Sequence, residues 1–213
     1  MNISYAITVH NEHEELDKLL SILSEYIRPE DEIVVLQDDN TTEEVLYTLD
    51  KYEDIVPCDY SWDNVHSLNR DFATHKNYLT SLCSREYEFQ IDADEYPADE
   101  LVAYLPEILE MNHGIDLILV PRINTVSGLT EHYINRWGWE VNERGWVNWP
   151  DWQWRIFRIN SDIYWINRVH ERLVGYETYT HLPEDKRYCL YHPKEIERQV
   201  QQNEMYESII RDD

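Results

Sequence analysis

The sequence predicts an α/β fold in which helices flank a mostly parallel central sheet. Three observations lead to this prediction: short apolar segments alternate with segments of helical periodicity, polar clusters follow three of the apolar segments, and the length suits one domain. The chain has 213 residues, of which 42% are hydrophobic and 13% aromatic, enough to bury a core. We therefore expect a single domain over residues 1–213.

The first half of the chain is predicted to alternate strand and helix. Residues 3–9 form a short apolar segment typical of a buried strand. Leucines then recur at helical spacing from residue 16 to residue 23, and Arg28-Pro29 ends that helix. The threonines at 41–42 can cap a helix that carries Val45 and Leu49. Further strands are expected at 32–36, 55–58, 86–91 and 116–120, and further helices at 69–84 and 98–111.

The sequence changes in character after residue 120. Six of the eight tryptophans lie between residues 137 and 154, and the strand-like segments 155–159 and 163–166 follow them. A closing helix is expected at 194–211. Because no linker rich in Pro, Gly or Ser separates the halves, we expect both to belong to one domain.

The charge balance bears on partners and location. The 18 basic and 43 acidic residues give a net charge of −25, which disfavours long-range attraction to nucleic acid or anionic membranes. No apolar run approaches the roughly 18 residues of a membrane span, and the first residues do not resemble a secretory signal. The three cysteines are widely spaced, which favours thiols in a reducing compartment. We therefore expect a cytoplasmic protein.

Polar clusters follow three of the predicted strands, at 8–12, 38–40 and 92–95. In open α/β sheets ligands bind at the carboxyl ends of the strands, so the three clusters are expected to converge. A turn at Ala93 would bring Asp92, Asp94 or both toward one cation. Carboxylate oxygens suit Mg²⁺ or Mn²⁺, which can neutralise a diphosphate leaving group. The alternative interpretation is a pair of acids that cap a helix.

The same segments carry a resemblance to a known family. Residues 3–12, 38–43, 75–77 and 89–95 occur in the order of the family 2 glycosyltransferases, which have the GT-A fold, a Rossmann-like fold for nucleotide-diphospho-sugar transferases. The segments Trp152–Arg158 and Val169-His170-Glu171 resemble small lipopolysaccharide-core and phage-encoded members. The resemblance implies a nucleotide-sugar-binding half at 1–120 and an acceptor-binding and C-terminal half at 121–213. A phage origin would place the protein in the host cytoplasm.

The resemblance also implies roles for residues of the first half. Asp94 would be the main metal ligand, and Asp92 would contact the ribose or a metal-bound water. Lys76 would lie near the diphosphate, where the family commonly has arginine, and Asn40 replaces a usual glycine. The nucleoside pocket would be formed by Thr8, Val9 through its backbone, His10, Glu12, and Asp38 and Asp39 at a uracil-like base, with Ala93 also at the donor site.

The roles in the second half leave alternatives open. An inverting transferase needs a carboxylate base, for which Asp151 is the first candidate and Glu171 the second, with Glu95 also considered. His170 and His192 are candidates to complete the metal shell, although a single histidine is often structural. The candidates for the acceptor side are Trp137, Trp139 and Trp149, because flat rings suit sugars, although core packing is the alternative for about half of the tryptophans. Arg155 is a candidate for binding phosphate or an anionic acceptor, and an ordinary half-buried strand explains it equally well.

The sequence is compatible with three functions. The first is a metal-dependent glycosyltransferase that uses a UDP-sugar with Mn²⁺ or Mg²⁺, and its acceptor would be a glycan, a lipid-linked sugar or a hydroxymethylated base of phage DNA. The second is a nucleotidyltransferase, although residues 8–12 lack the glycines and the Lys or Arg of a phosphate loop. The third is a carbohydrate-binding module built on the tryptophans, which leaves the polar strand ends unexplained.

Overall fold

A computed structural model describes residues 1–38, 41–56, 58–61 and 71–211, with the backbone alone at 58–61, 210 and 211. The helices are α1 (His13–Tyr26), α2 (Glu43–Lys51), α3 (Phe72–Leu82), α4 (Asp99–Met111), α5 (Glu131–Trp137) and α6 (Ile196–Arg211). The strands are β1 (Ile3–Val9), β2 (Glu32–Gln37), β3 (Cys58–Ser61), β4 (Tyr87–Asp92), β5 (Tyr96–Pro97), β6 (Leu117–Ser127), β7 (Val147–Arg158), β8 (Tyr164–Ile166), β9 (Arg172–Val174), β10 (Tyr179–His181) and β11 (Leu190–Glu195).

The central sheet has the order β3-β2-β1-β4-β7-β6-β11-β5, and β10 pairs with β6. Strands β1 to β4 are mutually parallel, as are β6 and β11, whereas β7 runs antiparallel to both of its neighbours. The expected α/β fold with a mostly parallel sheet is thus confirmed. Because β7 runs in the opposite direction, its first residues lie beside the carboxyl ends of β4 and β6.

The alternation of strands and helices follows from local apolar patterns. All seven residues of β1 are buried, and α1 buries the leucines that recur at helical spacing. These leucines belong to the same main core as the odd-numbered side chains of β4, such as Phe89 and Ile91. The opposite face of the sheet is covered by α3, whose Leu79 packs on Ala6, Val34 and Leu36.

Several boundaries differ from the sequence prediction. The third strand lies at Cys58–Ser61 and not at 55–58, and Ile55 and Val56 end a turn that packs against the core. Strand β6 continues beyond Val120 to Ser127. Thr42 is the N-cap residue of α2 as expected, but its side chain makes no capping hydrogen bond. In the part of the chain that the structure describes, no helix is long and apolar enough to cross a membrane.

Candidate functional site

A cavity of about 670 Å³ lies at the carboxyl ends of β1, β4, β6 and β11 and is covered on one side by α6. The predicted residues that line it are Thr8, His10, Glu12, Asp92, Ala93, Asp94, Trp139, Asp151, Arg155, His170, Glu171 and His192. These residues come from separate segments of the chain, and the sheet topology brings them to one edge. Val9, Asp38, Lys76, Trp137 and Trp149 are not among the lining residues, and Asp39 lies outside the described residues.

Asp92 ends β4 and is fixed by two cationic side chains. Its Oδ2 accepts from Nη2 of Arg155 at 2.6 Å, and its Oδ1 lies 3.3 Å from Nζ of Lys76. Thr8 Oγ1 donates to the same Oδ1 at 3.1 Å. Burial acts to raise the pKa of Asp92, but the charges of Arg155 and Lys76 outweigh it and hold that pKa well below its usual range. Asp92 is therefore an ionised, immobilised carboxylate on the cavity floor.

Asp94 lies in the turn after β4 and faces basic side chains from β11 and α6. Its Oδ2 is 3.4 Å from Nε2 of His192, 3.5 Å from Nζ of Lys194 and 3.7 Å from Nη2 of Arg198. Burial acts to raise the pKa of Asp94, but His192, when protonated, and Lys194 lower it far more. Burial also lowers the pKa of His192, so at neutral pH the imidazole is uncharged.

Two amide hydrogen bonds define the orientation of His192. Asn124 Nδ2 lies 2.8 Å from Oδ2 of Asp151, and because a carboxylate only accepts, this amide nitrogen is the donor. The Asn124 Oδ1 atom therefore faces Nδ1 of His192, 2.8 Å away, and accepts a hydrogen bond from it. In the neutral ring Nε2 then carries a lone pair, which is directed at Asp94.

Asp151 lies in the first half of β7, and its carboxylate accepts four hydrogen bonds from side chains. Arg122 donates through Nε and Nη2 to Oδ2 at 2.9 and 2.7 Å, and Asn124 donates to the same oxygen. Oδ1 accepts from Gln153 at 2.8 Å. Burial acts to raise the pKa of Asp151, but Arg122 and these hydrogen bonds lower it below its usual value.

Glu95 is fully buried beneath the cavity between two arginines. Its Oε1 accepts from Nη1 of Arg122 at 2.6 Å and from Nη2 of Arg155 at 2.8 Å. Arg155 is also bonded to Gln90 and Asp92, so its guanidinium connects three side chains of the cavity floor. Acidic and basic groups thus alternate without a gap from Asp151 to Asp92.

Lys76 continues this network toward the other wall of the cavity. Its Nζ lies 2.5 Å from Oε1 of Glu171, and its side chain is only 2% exposed. Burial acts to raise the pKa of Glu171, but the charge of Lys76 lowers it below its usual value. The neighbouring His170 has a φ of 53° and contacts the ring of Tyr206 edge-on, with a centroid distance of 5.4 Å. The left-handed backbone at His170 lies in the short segment 170–172, which lines the cavity.

The predicted nucleoside end of the site contains a contact between His10 and Asp38 and an anchored glutamate, Glu12. His10 Nδ1 lies 3.0 Å from Oδ2 of Asp38, and the Asp38 side chain is 1% exposed. Glu12 accepts from the backbone N–H groups of His10 and Asn11 and from Arg198. The side chain of Val9 packs in the core, and its carbonyl accepts from the Asp38 N–H at 2.9 Å.

The tryptophans divide between the cavity and the surface around it. Trp139 lines the cavity, together with Trp152 and Trp154 of β7. Trp137 contacts Trp139 at a centroid distance of 4.6 Å with the two rings tilted by 45°, and Trp149 contacts Trp146. Of the three tryptophans predicted to lie on the acceptor side, Trp139 is therefore the one that reaches the cavity wall.

Several residues that line the cavity are not among those predicted from the sequence. Arg122 and Asn124 follow the predicted strand and alternate with buried Ile123, a signal that the strand continues with its polar face toward the cavity. Lys194 of β11 was missed as well. On α6 the missed residues recur at helical spacing, and they are Gln199, Gln202, Asn203 and Tyr206.

Comparisons with known proteins place the fold. No family model matches the chain, and no curated protein matches it. Among solved structures, S. aureus TarS matches with a TM-score of 0.63 and 15% identity over 91% of this chain and 37% of that chain. A truncated TarS in complex with UDP matches with a TM-score of 0.64, 17% identity and 91% and 60% coverage. The same truncated TarS in complex with UDP-GlcNAc matches with a TM-score of 0.64 and 18% identity over 91% of this chain and 59% of that chain.

These matches define the fold of the chain as the GT-A fold of glycosyltransferases. They cover 91% of the chain. The chain spans about 60% or less of the length of the TarS chains that it matches.

Proposed function

We propose that this chain is a metal-dependent glycosyltransferase that moves a sugar from a UDP-sugar to an acceptor hydroxyl. The observation that carries the proposal is the position of Asp92 and Asp94 at the switch from β4 to the cavity of a GT-A fold. Ligands bind at this edge of α/β sheets. The TarS structures in complex with UDP and UDP-GlcNAc have the same fold and support UDP as the nucleotide.

The donor is proposed to bind in the half formed by residues 1–120. Thr8, His10 and Glu12 line that side of the cavity, and Asp38, with Asp39 next to it in sequence, would contact the base. The side-chain nitrogens of Lys194 and Arg198 lie 3.5 and 3.7 Å from Asp94 Oδ2, beyond close hydrogen-bonding distance. These two cations are therefore the ones best placed to bind a diphosphate. Lys76 and Arg155 are buried and act on Asp92 from beneath, and we propose that they position it.

The residues around Asp94 fit a divalent cation that binds together with the diphosphate. Within the described ranges, no three His, Cys, Asp or Glu side chains form a metal site by themselves. Mg²⁺ and Mn²⁺ commonly use one or two carboxylates, with phosphate oxygens and water completing the shell. The Asp94 carboxylate and the His192 lone pair face each other, and His170 lines the same cavity. A bound ion would neutralise charge that develops on the leaving diphosphate.

The acceptor is proposed to bind along the half formed by residues 121–213. Trp139, Trp152 and Trp154 offer aromatic faces at the cavity, which suit the apolar faces of a sugar ring. Trp137 supports Trp139 from behind, and Trp149 belongs to the outer aromatic cluster. A carbohydrate acceptor is favoured over a modified DNA base, because the net charge of −25 opposes binding to a polyanion.

Asp151 is the proposed base. Its side chain is 27% exposed at the cavity, whereas Glu171 is 18% exposed and held at 2.5 Å by Lys76. Asp151 lies on the same strand as Trp152 and Trp154, so an acceptor stacked there has its hydroxyl groups close to this carboxylate. Glu171 is proposed as an orienting group for Lys76 and the second candidate for the base.

The proposal is tested by ligand-induced stabilisation. We expect UDP with Mn²⁺ to raise the melting temperature, UDP alone to raise it less, and Asp94→Ala to abolish the metal-dependent part. Asp185→Ala is the matched control, because Asp185 pairs with Arg187 outside the cavity. Slow hydrolysis of UDP-GlcNAc or UDP-glucose should accompany binding. Stabilisation by oligosaccharides without any response to UDP would instead identify a carbohydrate-binding module and contradict the proposal.

A further inference from the structure

The hydrogen bonds of Asp151 distinguish its two oxygens. Oδ2 receives three donors, namely Nε and Nη2 of Arg122 and Nδ2 of Asn124, at 2.7 to 2.9 Å. Oδ1 receives one donor, the Gln153 amide of the same strand. A carboxylate oxygen with three donors has no free lone pair for another hydrogen bond, whereas Oδ1 keeps one.

Arg122 is itself fixed by a carboxylate that does not face the cavity. Its third nitrogen, Nη1, donates to Glu95 at 2.6 Å, and the Glu95 side chain is 0% exposed. Because Glu95 is also bound to Arg155, it cannot turn toward the cavity without breaking its ion pairs with both arginines. Glu95 therefore fixes the guanidinium of Arg122 on the side away from the cavity, while Nε and Nη2 of the same group donate to Asp151.

We infer that Arg122 is a positioning residue that clamps Oδ2 of Asp151, held by Glu95, so that Oδ1 is the atom that takes the acceptor proton. This inference rests on the proposed function. The acceptor O–H gives its proton to Oδ1, the acceptor oxygen forms a bond to the anomeric carbon, and the bond from that carbon to the diphosphate oxygen breaks. The electron pair of the broken bond leaves with the UDP.

The charged groups acting on Asp151 come from three other elements. Arg122 of β6 acts directly, Glu95 of the turn after β4 acts through Arg122, and His192 of β11 acts through Asn124. Among the residues that the structure describes, Arg122 is the one permanent cation that contacts Asp151. Removing that charge should therefore raise the pKa of Asp151, while replacing it with lysine should keep the charge and lose the two-point clamp.

The test separates the clamp from the charge. For Arg122→Gln we expect the acidic limb of the kcat profile to move up by about one pH unit or more. For Arg122→Lys we expect that limb to stay near the wild-type position while kcat falls about tenfold or more, because geometry is lost. Arg158→Lys is the control, since Arg158 pairs with Glu86 outside the cavity. Full kcat in Arg122→Lys, or an unmoved limb in Arg122→Gln, would overturn the inference.

Two further measurements keep the result decisive. In an Asp151→Asn background, Arg122→Lys should cause no additional loss of kcat, and a further tenfold loss would show that Arg122 acts elsewhere. Carboxyl-carbon NMR of Asp151, assigned with Asp151→Asn, reports its pKa without any turnover.

If the wild type fails to bind UDP, the proposed function is wrong. If it binds UDP but Arg122→Gln leaves the pKa of Asp151 and kcat unchanged, only the inference is wrong. Should Arg122→Gln not fold, an unchanged kcat in Arg122→Lys leads to the same conclusion.

Discussion

Asp94 Oδ2 and His192 Nε2 lie 3.4 Å apart across the cavity, although 98 residues separate them in the chain. The contact arises because β4 and β11 both end at this edge of the sheet, with β6 and β7 between them. Asn124 fixes the imidazole so that its lone pair, and not an N–H, faces the carboxylate. Ligating histidines are typically oriented in this manner by a hydrogen bond at the other ring nitrogen.

This relationship predicts that Asn124 supports metal binding without touching the metal. Asn124→Ala removes the acceptor for Nδ1 of His192, so the ring can rotate or change tautomer. We expect the affinity for Mn²⁺ in the presence of UDP to fall about 10- to 100-fold. Electron paramagnetic resonance of free Mn²⁺ in a titration measures this change. Asn135→Ala, on the exposed side of α5, is the control, and equal affinities in the two variants would contradict the prediction.

The buried carboxyl of Glu88 predicts an unusual dependence of stability on pH. Glu88 is 0% exposed on β4, and burial raises its pKa from 4.5 to about 8 against the opposing charge of Lys76. Between about pH 4.5 and pH 8, the folded state therefore keeps the proton on Glu88 while the unfolded state loses it. The contribution of Glu88 to stability is complete below about pH 4.5 and is lost as the pH rises toward 8.

Glu88→Gln should remove this loss. At pH 9 we expect the variant to be more stable than the wild type, by on the order of 3 kcal/mol in the free energy of unfolding, and at pH 5 we expect a much smaller difference. Urea unfolding at both pH values measures the effect. The control is Glu107→Gln on the exposed side of α4. A wild-type free energy that falls no more steeply with pH than that of Glu88→Gln would count against the prediction.

The first half of the fold could be predicted from the sequence because its signals are local. The seven buried residues of β1 and the leucines of α1 are contiguous or periodic, so the pattern identifies each element without its neighbours. The polar clusters at Thr8, Asp38 and Asp92 follow directly from strand ends. The third strand was placed three residues early, because Ile55 and Val56 pack against the core from a turn.

The second half depends on contacts that are distant in sequence. The pair of Arg122 and Asp151 joins residues 29 positions apart, and no local pattern indicates which acid an arginine will meet. Strand β7 begins among tryptophans that are only half buried, so its alternation was hidden. The polar face of α6 resembles an ordinary solvent-facing surface, and only the tertiary fold turns Gln202 and Tyr206 toward the cavity.

Trp165 is predicted to be the main anchor of the small β8–β9 sheet. It is 4% exposed, packs edge-on against Phe157 at 5.9 Å, and its backbone N–H donates to Asn77 at 2.7 Å. Trp165→Ala should lower the free energy of unfolding by about 3–5 kcal/mol because it leaves a large cavity. Tyr164→Ala, at a 50% exposed neighbour on the same strand, should cost about 0.5 kcal/mol or less. Chemical denaturation compares the two variants, and similar losses would refute the assignment.

The choice between Asp151 and Glu171 as the base can be made from the pattern of kinetic losses. Asp151→Asn keeps the hydrogen-bonding shape but cannot take a proton, so we expect kcat to fall about 10²- to 10⁴-fold with the Kd for UDP nearly unchanged. Glu171→Gln removes the acid that neutralises buried Lys76. Of the two acids paired with Lys76, Asp92 then remains. That variant should therefore change donor binding and stability as well as turnover. If instead Glu171→Gln lost only kcat and Asp151→Asn retained it, the two roles would be exchanged.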